Sequence, residues 1–219
     1  MENKTYKIEF RLKKGISYID LPSFDSILAF AYVREQNQGK PMIQKINYDK
    51  EELIDFSNMP ILRHENGYFI SSLMHVDELD IIEQTKRWRK RWDCKNDSIV
   101  DFGKQKAQIN VNRETFKSYD MPISVKLIDK VWFYFKSDNV NEVYRLIDKW
   151  IHFLGKKASQ GIGHVSGFSI TESDKKEIIR YVPIKFLDNC DTETLKYAGW
   201  YPPYWLPDNL ELCALVNVY

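Results

Sequence analysis

Hydrophobic and polar residues alternate from Tyr6 through Ile8, Phe10 and Leu12, the period of a half-buried strand. Gly15 marks a turn and Pro22 a second break, after which Ser23 is placed to cap a helix from Phe24 to about Glu35. Phe24, Ile27, Leu28 and Ala31 form its apolar face. Residues 37 to 65 read as a polar connection carrying Gly39, Pro41 and Pro60, and a second strand is predicted at about Tyr68 to His75. Val125 to Phe135 is strongly apolar, β-branched and aromatic, the signature of a third strand. Asp138 or Asn139 caps a second helix, in which Val140, Val143, Tyr144, Ile147, Ile151 and Leu154 keep helical spacing. A strand from His164 to about Thr171 follows.

The order is strand-helix-strand, a long insertion, then strand-helix-strand. This predicts an α+β, ferredoxin-like βαββαβ core, whose four-stranded sheet is also the scaffold of RNA-recognition motifs. The domain spans residues 1–172, with the insertion at about 77–120 between the inner strands. Residues 173–219 hold Arg180-Tyr-Val-Pro183 and Pro202-Pro203-Tyr204-Trp205, and are expected to pack on it as an extended, aromatic-rich tail, since Pro203 and Pro207 oppose a helix.

Charge sharpens this picture. The net charge of +1 is small, yet from Gln84 to Lys117 ten Lys and Arg stand against four Asp and Glu, a local surplus of +6. The rest of the chain then carries −5. Concentrated positive charge is the electrostatic footprint of polyanion binding. The densest part is Lys86-Arg87-Trp88-Arg89-Lys90-Arg91-Trp92. Tryptophan can stack on unpaired bases while Arg and Lys hold phosphates. Alternatively, Trp88 and Trp92 dock the segment on the core. The acidic start of the segment (Asp77, Glu78, Asp80, Glu83) followed by basic residues suits a short helix, and a β-hairpin arm fits equally well.

The aromatic share of 14% and hydrophobic share of 43% are those of an ordered domain. There is no apolar run long enough for a bilayer and no signal-peptide pattern near Met1, so a cytoplasmic protein is expected. Cys94, Cys190 and Cys213 are odd in number and widely spaced, and His64, His75, His152 and His164 show no ligand spacing with them. No metal and no cofactor is expected.

The sharpest motif is Gly155-Lys-Lys-Ala-Ser-Gln-Gly-Ile-Gly163, between the second helix and the last strand. Its glycines permit close backbone approach, its lysines add charge, and Ser159 and Gln160 add hydrogen-bonding groups. Such a loop can form an anion-binding concavity for a phosphodiester backbone. It follows a helix and lacks a Gly-Lys-Ser/Thr ending, so it is no nucleoside-triphosphate loop. A purely structural role, with Gly155 capping the helix and Gly161 and Gly163 shaping a turn, is the competing reading.

The helix, the glycine loop and the strand beginning His164-Val165 resemble the RAMP superfamily of CRISPR-associated proteins. Phe24-Asp-Ser-Ile-Leu-Ala29, Ile70-Ser-Ser72, Phe116-Lys-Ser-Tyr119 and Pro202-Pro-Tyr-Trp205 look more specifically like the Cas5-type subunit of type IV CRISPR effector complexes. The resemblance implies a non-catalytic subunit whose loop grips guide RNA (crRNA) and caps its five-prime handle. Its partners would be a filament of backbone subunits, a large or small subunit and, through the complex, target DNA. The family's loops carry Arg or Lys before the second glycine group and an aromatic between the last two glycines, where this chain has Ala158, Gln160 and Ile162.

The expected RNA-binding residues are Gly155, Lys156, Lys157, Ser159, Gln160, Gly161, Gly163 and His164 in the loop. The insertion adds Lys86, Arg87, Trp88, Arg89, Lys90, Arg91, Trp92, Lys104, Lys106, Arg113 and Lys117. No catalytic residue is expected. One alternative is a RAMP endoribonuclease that processes precursor crRNA, using His164 as general base. Another is a ferredoxin-like assembly or ligand-binding subunit without RNA, its Trp-rich basic run serving as a protein interface.

Overall fold

Thr5–Leu12 forms the first strand (β1), with Ile8 and Phe10 fully buried, as their alternation predicts. The computed structural model describes residues 4–39, 54–77, 81–91, 93, 118–188, 194–204 and 206–218. After β1 come Phe24–Gln36 (α1), Ile82–Lys90 (β2), Tyr119–Leu127 (β3), Lys130–Lys136 (β4) and Val140–Trp150 (α2). Val165–Ser173 (β5), Ile178–Pro183 (β6), Lys196–Gly199 (β7) and Leu210–Val218 (β8) complete the order. The result is a mixed α+β architecture of two helices and several small antiparallel sheets.

β1 lies at the centre of the main sheet, between β4 and β5, with Ile8 opposite both Phe133 and Ile170. The strand expected at 68–75 lies along the free edge of β4. It is joined by isolated bridges, Ser71–Phe135 and His75–Trp132, and not by a continuous ladder. The reason is local: the Tyr134 amide donates to the Ser72 hydroxyl at 2.8 Å, so a side chain replaces a ladder carbonyl. Across the sheet the order is therefore 68–75, β4, β1, β5.

The apolar run from Val125 to Phe135 is two strands, not one. β3 pairs with β2 and β4 with β1, so the chain must turn between them, at Ile128 and Asp129. The basic segment from Lys86 is thereby settled as a β-hairpin arm, with Trp88 opposite Met121. Nor is the connection before residue 65 wholly polar: Phe56, Met59 and Ile61 are buried in the main core. Those three follow neither a helical nor an alternating period for long enough to register as an element, and Pro60 interrupts them.

Both helices bury their apolar faces with Ile8, Phe10, Val131, Phe133 and Phe135 in that core. α2 is capped by Asn139, whose side chain accepts from the Glu142 amide at 3.2 Å, and it ends at Trp150. Ile151 and Leu154 lie beyond its end, yet are buried too. Ser23 occupies the N-cap of α1 with extended backbone but makes no side-chain capping bond. The Phe24 amide donates instead to the Ser72 carbonyl and the Asp25 amide to the Ser71 hydroxyl, so a neighbouring segment caps the helix. Glu35, near the end of α1, joins the two helices by accepting from Arg145, Lys149 and the Trp150 indole at 2.7–2.8 Å.

The chain after Ser173 is more ordered than an extended tail: β6, β8 and β7 form their own antiparallel sheet. Ile178, Val182 and Val218 pack there with Tyr68 and Ile70. A buried polar cluster ties this sheet to the main core. Asp25 is 0% exposed and receives hydrogen bonds from the Ser71 hydroxyl at 2.9 Å and the Tyr204 hydroxyl at 2.6 Å. The Arg180 guanidinium reaches it at 3.5 Å and also donates to the Trp200 carbonyl. Burial, then the adjacent Asp25 carboxylate, pushes the Tyr204 hydroxyl well above the ordinary tyrosine range, so it stays a donor. Among the described residues, no helix is long and apolar enough to cross a membrane.

Replacing Asp25 by Ala leaves Arg180 buried without its counter-charge and should destabilise the fold by about 3–5 kcal/mol. Tyr204→Phe removes one charge-assisted bond and should cost about 1.5–3 kcal/mol. Urea unfolding midpoints measure both, and equal midpoints for wild type and Asp25→Ala would exclude a structural role for the cluster. Hydrogen bonds from Lys149, then Arg145 and Trp150, lower Glu35 from 4.5 to about 2. A lowered carboxylate stabilises the fold above its unfolded value, and that contribution is lost as pH falls from about 4.5 through about 2. In acid titrations of stability Glu35→Gln should flatten this part of the curve.

Candidate nucleic-acid interface

The glycine loop leaves α2 and re-enters β5 through a closed neck. The Val165 amide donates to the His152 carbonyl, and the Leu154 amide to the Gly163 carbonyl at 2.8 Å. The loop is also fastened to the turn after β1, the Lys156 amide donating to the Ser17 carbonyl and the Gly163 amide to the Gly15 carbonyl. Two of its glycines are required by these close approaches. At Gly163 (φ +74°) a Cβ would overlap the Leu154 carbonyl oxygen, and at Gly155 (φ +77°) it would lie 2.5 Å from the Ser17 oxygen. Gly161, also at φ +74°, faces only the flexible end of Lys14.

Ala158–Gln160 make a single 3₁₀ turn, entered through Lys157 in a left-handed conformation at φ +68°. The amides of Lys156, Gln160, Gly161 and Gly163 are all engaged within the protein. What the loop presents outward is therefore chiefly side chains: Lys156 and Ser159 are exposed, and Lys157 and Gln160 half-buried. Lys14, from the turn after β1, joins them at Gly161. Sequence reasoning did not single out Lys14. Its available signal was the Lys13-Lys14-Gly15 run at a predicted turn.

Ile162 stands where the resemblance implies an aromatic, and it cannot serve as an open stacking platform. It is 1% exposed, packed with Ile123 and Val125 of the arm and with Trp88. The loop is thus the seat of the arm. A second contact strengthens the joint: the Lys157 ammonium lies 3.5 Å from the Trp88 ring centroid, with Tyr119 edge-on to the same ring at 4.7 Å. Trp88 docks the arm and at the same time positions a loop lysine.

The period-two geometry of β2 sorts the remaining cations. Lys86 shares the face of Trp88, whereas Arg87 and Arg89 lie on the opposite face. Both arginines converge on the Asp120 carboxylate at 3.0 Å, holding it below the usual carboxylate range. Lys90 and Arg91 are exposed at the end of the strand. Trp92, Lys104, Lys106, Arg113 and Lys117 lie outside the described residues.

His164 immediately precedes β5, with Nδ1 buried and without a hydrogen-bond partner. Its ring meets Phe153 edge-on at 5.2 Å, an apolar neighbour and not an acid or base. His64 and His75 are engaged elsewhere, stacked with Tyr68 and Trp132. Among the described residues there is no group of three His, Cys, Asp or Glu side chains able to hold a metal ion.

Segments 24–29, 70–72 and 202–204, which carry the rest of the resemblance, lie together in the fold. They meet at Asp25, Ser71 and Tyr204, where they hold the fold together. Comparison with curated proteins returns no match. A family description, CRISPR type IV associated protein Csf3, matches residues 4–215. That span takes in the glycine loop, the basic arm and the Asp25 cluster, and so by its sequence over nearly its whole length the chain belongs to the Csf3 family of CRISPR type IV associated proteins.

Proposed function

We propose that this protein is a non-catalytic, guide-RNA-binding subunit that caps the five-prime handle of crRNA in a type IV CRISPR effector complex. The observation that carries the reading is the joint between loop and arm. Lys156 and Lys157 sit on a glycine loop whose backbone is fixed at both ends, and the basic arm is anchored on that loop through Trp88 and Ile162. A rigid loop bearing lysines grips phosphates in a defined place, and the exposed cations of the arm extend the positive surface along the backbone. The strand order 68–75, β4, β1, β5, with both helices packed in one core, supports a ferredoxin-like, RAMP-type domain.

Membership of the Csf3 family supports assembly with other subunits of a type IV complex, in the cytoplasm, and an encounter with target DNA through that complex. His164 meets Phe153 and its Nδ1 has no hydrogen-bond partner, which favours holding RNA over cutting it, because a general base needs a partner to orient it and to relay its proton.

RNA that co-purifies with the protein from cells carrying the guide locus should share one five-prime end on sequencing; random ends would reduce the binding to non-specific polyanion contact. Lys156→Glu should weaken binding of that RNA by roughly ten-fold at low salt and lower the salt slope by about one. Filter binding across a salt series reads both quantities. Reversing Lys157 as well should weaken binding further and also loosen Trp88, visible as a change in tryptophan fluorescence. His164→Ala should leave the length of the bound RNA unchanged. If it causes uncleaved precursor to accumulate, the protein is the processing nuclease.

A further inference from the structure

A groove of about 680 Å³ runs from the loop between the two helices. One wall is α1, through Phe30 and Arg34, and the other is the end of α2 and the chain beyond it, through Trp150, His152 and Phe153. Gly155 and Ala158 of the glycine loop line its end. The volume is in the range of sites for small organic groups, roughly 300–1,000 Å³. Two of its aromatic walls are open to solvent, Phe30 at 51% and Phe153 at 37% exposure. Apolar rings of this size are normally covered, and here they are the exposed part of a concave surface.

We infer that this groove receives one unstacked nucleobase of the RNA whose phosphates the glycine loop holds. The inference rests on the proposed RNA-binding reading and adds to it a base-binding pocket that the loop motif does not include. The chemistry of the walls favours a base. Aromatic faces stack on any nucleobase, and the cations beside them suit the attached phosphates. Arg34 lies over the Phe30 ring at 5.2 Å and is the cation of this surface, because Lys149, over Trp150 at 5.0 Å, is already paired with Glu35 at 2.8 Å. Among the described residues no carboxylate is part of the lining, and the adjacent Glu35 is already engaged by Arg145, Lys149 and the Trp150 indole. A docking site for a basic protein segment would call for the opposite charge. The shared residues Gly155 and Ala158 make the groove continuous with the loop, so a strand held at Lys156 can turn its next base inward.

The test compares the full-length protein with Phe30→Ala/Phe153→Ala, a variant that removes two exposed rings and leaves the buried core intact. The probe is a short single-stranded RNA carrying the five-prime sequence of the co-purified guide, made both intact and with an abasic site at each position in turn. Wild type should lose about ten-fold in affinity at one abasic position, the scale of losing one base–aromatic stack. The double variant should bind the intact RNA about ten-fold less tightly and be indifferent to that abasic position. Ultraviolet cross-linking should place that same nucleotide on residues 150–153. Equal affinity of wild type and variant for the intact RNA would overturn the groove assignment alone. Unchanged RNA affinity with lost retention of another complex subunit would make the groove a protein interface and overturn it as well. If wild type binds none of these RNAs, the RNA-binding reading itself fails; sensitivity to Lys156→Glu without sensitivity to the groove variant leaves that reading standing.

Discussion

Asp25 sits in the first turn of α1 with its carboxylate shut off from water, a position tolerable only when opposite charge and donors surround it. Those groups come from far apart in the chain: Ser71 from the edge segment of the main sheet, Arg180 from β6, and Tyr204 from the connection between β7 and β8. One buried side chain therefore fixes three relations at once. It helps to cap α1, aligns the segment 68–75 against β4, and holds the C-terminal sheet on the core. Because the cluster is secluded, removing any partner leaves another polar group stranded in a low-dielectric interior, so the three relations fail together.

A second constraint acts beyond the C-terminal end of α2. The glycine loop is shaped by contacts with carbonyl groups of the turn after β1 and of its own neck, which leave no space for side chains at Gly155 and Gly163. This rigidity has a chemical consequence. Several loop amides are already engaged, so the proposed RNA-binding surface depends on side chains whose positions the backbone dictates. Lys156 points outward, Lys157 is held over Trp88, and Lys14 arrives from a different turn. The loop itself has no basic residue at Ala158 or Gln160 and no aromatic at Ile162. Cations come from neighbouring elements, and Ile162 is used to seat the arm.

The arm illustrates a division of labour among charges. Arg87 and Arg89 share one carboxylate and are partly neutralised, although they are the centre of the most basic run of the sequence. Exposed ion pairs of this kind contribute little to stability. Net charge along a chain thus overstates the positive potential at β2, while the surface around the loop is more basic than its nine residues suggest.

Much of the architecture was legible in one dimension. The alternation in β1, the helical spacing of Val140, Val143 and Ile147, and the Asn139 cap are local signals that need no tertiary information, because each reflects the period of a single element. The glycine loop was recognisable for the same reason, since its composition encodes its backbone. Sequence alone left the arm undecided between helix and hairpin, joined β3 to β4, and missed the buried Phe56, Met59 and Ile61. Those outcomes depend on which strand becomes the partner of which, and pairing energy exists only once distant segments meet. The same limit applies at the site. That Trp88 docks on Ile162, that Lys14 approaches Gly161, and that Phe30 and Phe153 line one groove are facts of juxtaposition. The chain determined which chemical groups are present and which local conformations they adopt; only the packing of sheet, helices and arm decided which groups share a surface, because burial and charge pairing are set by neighbours in space.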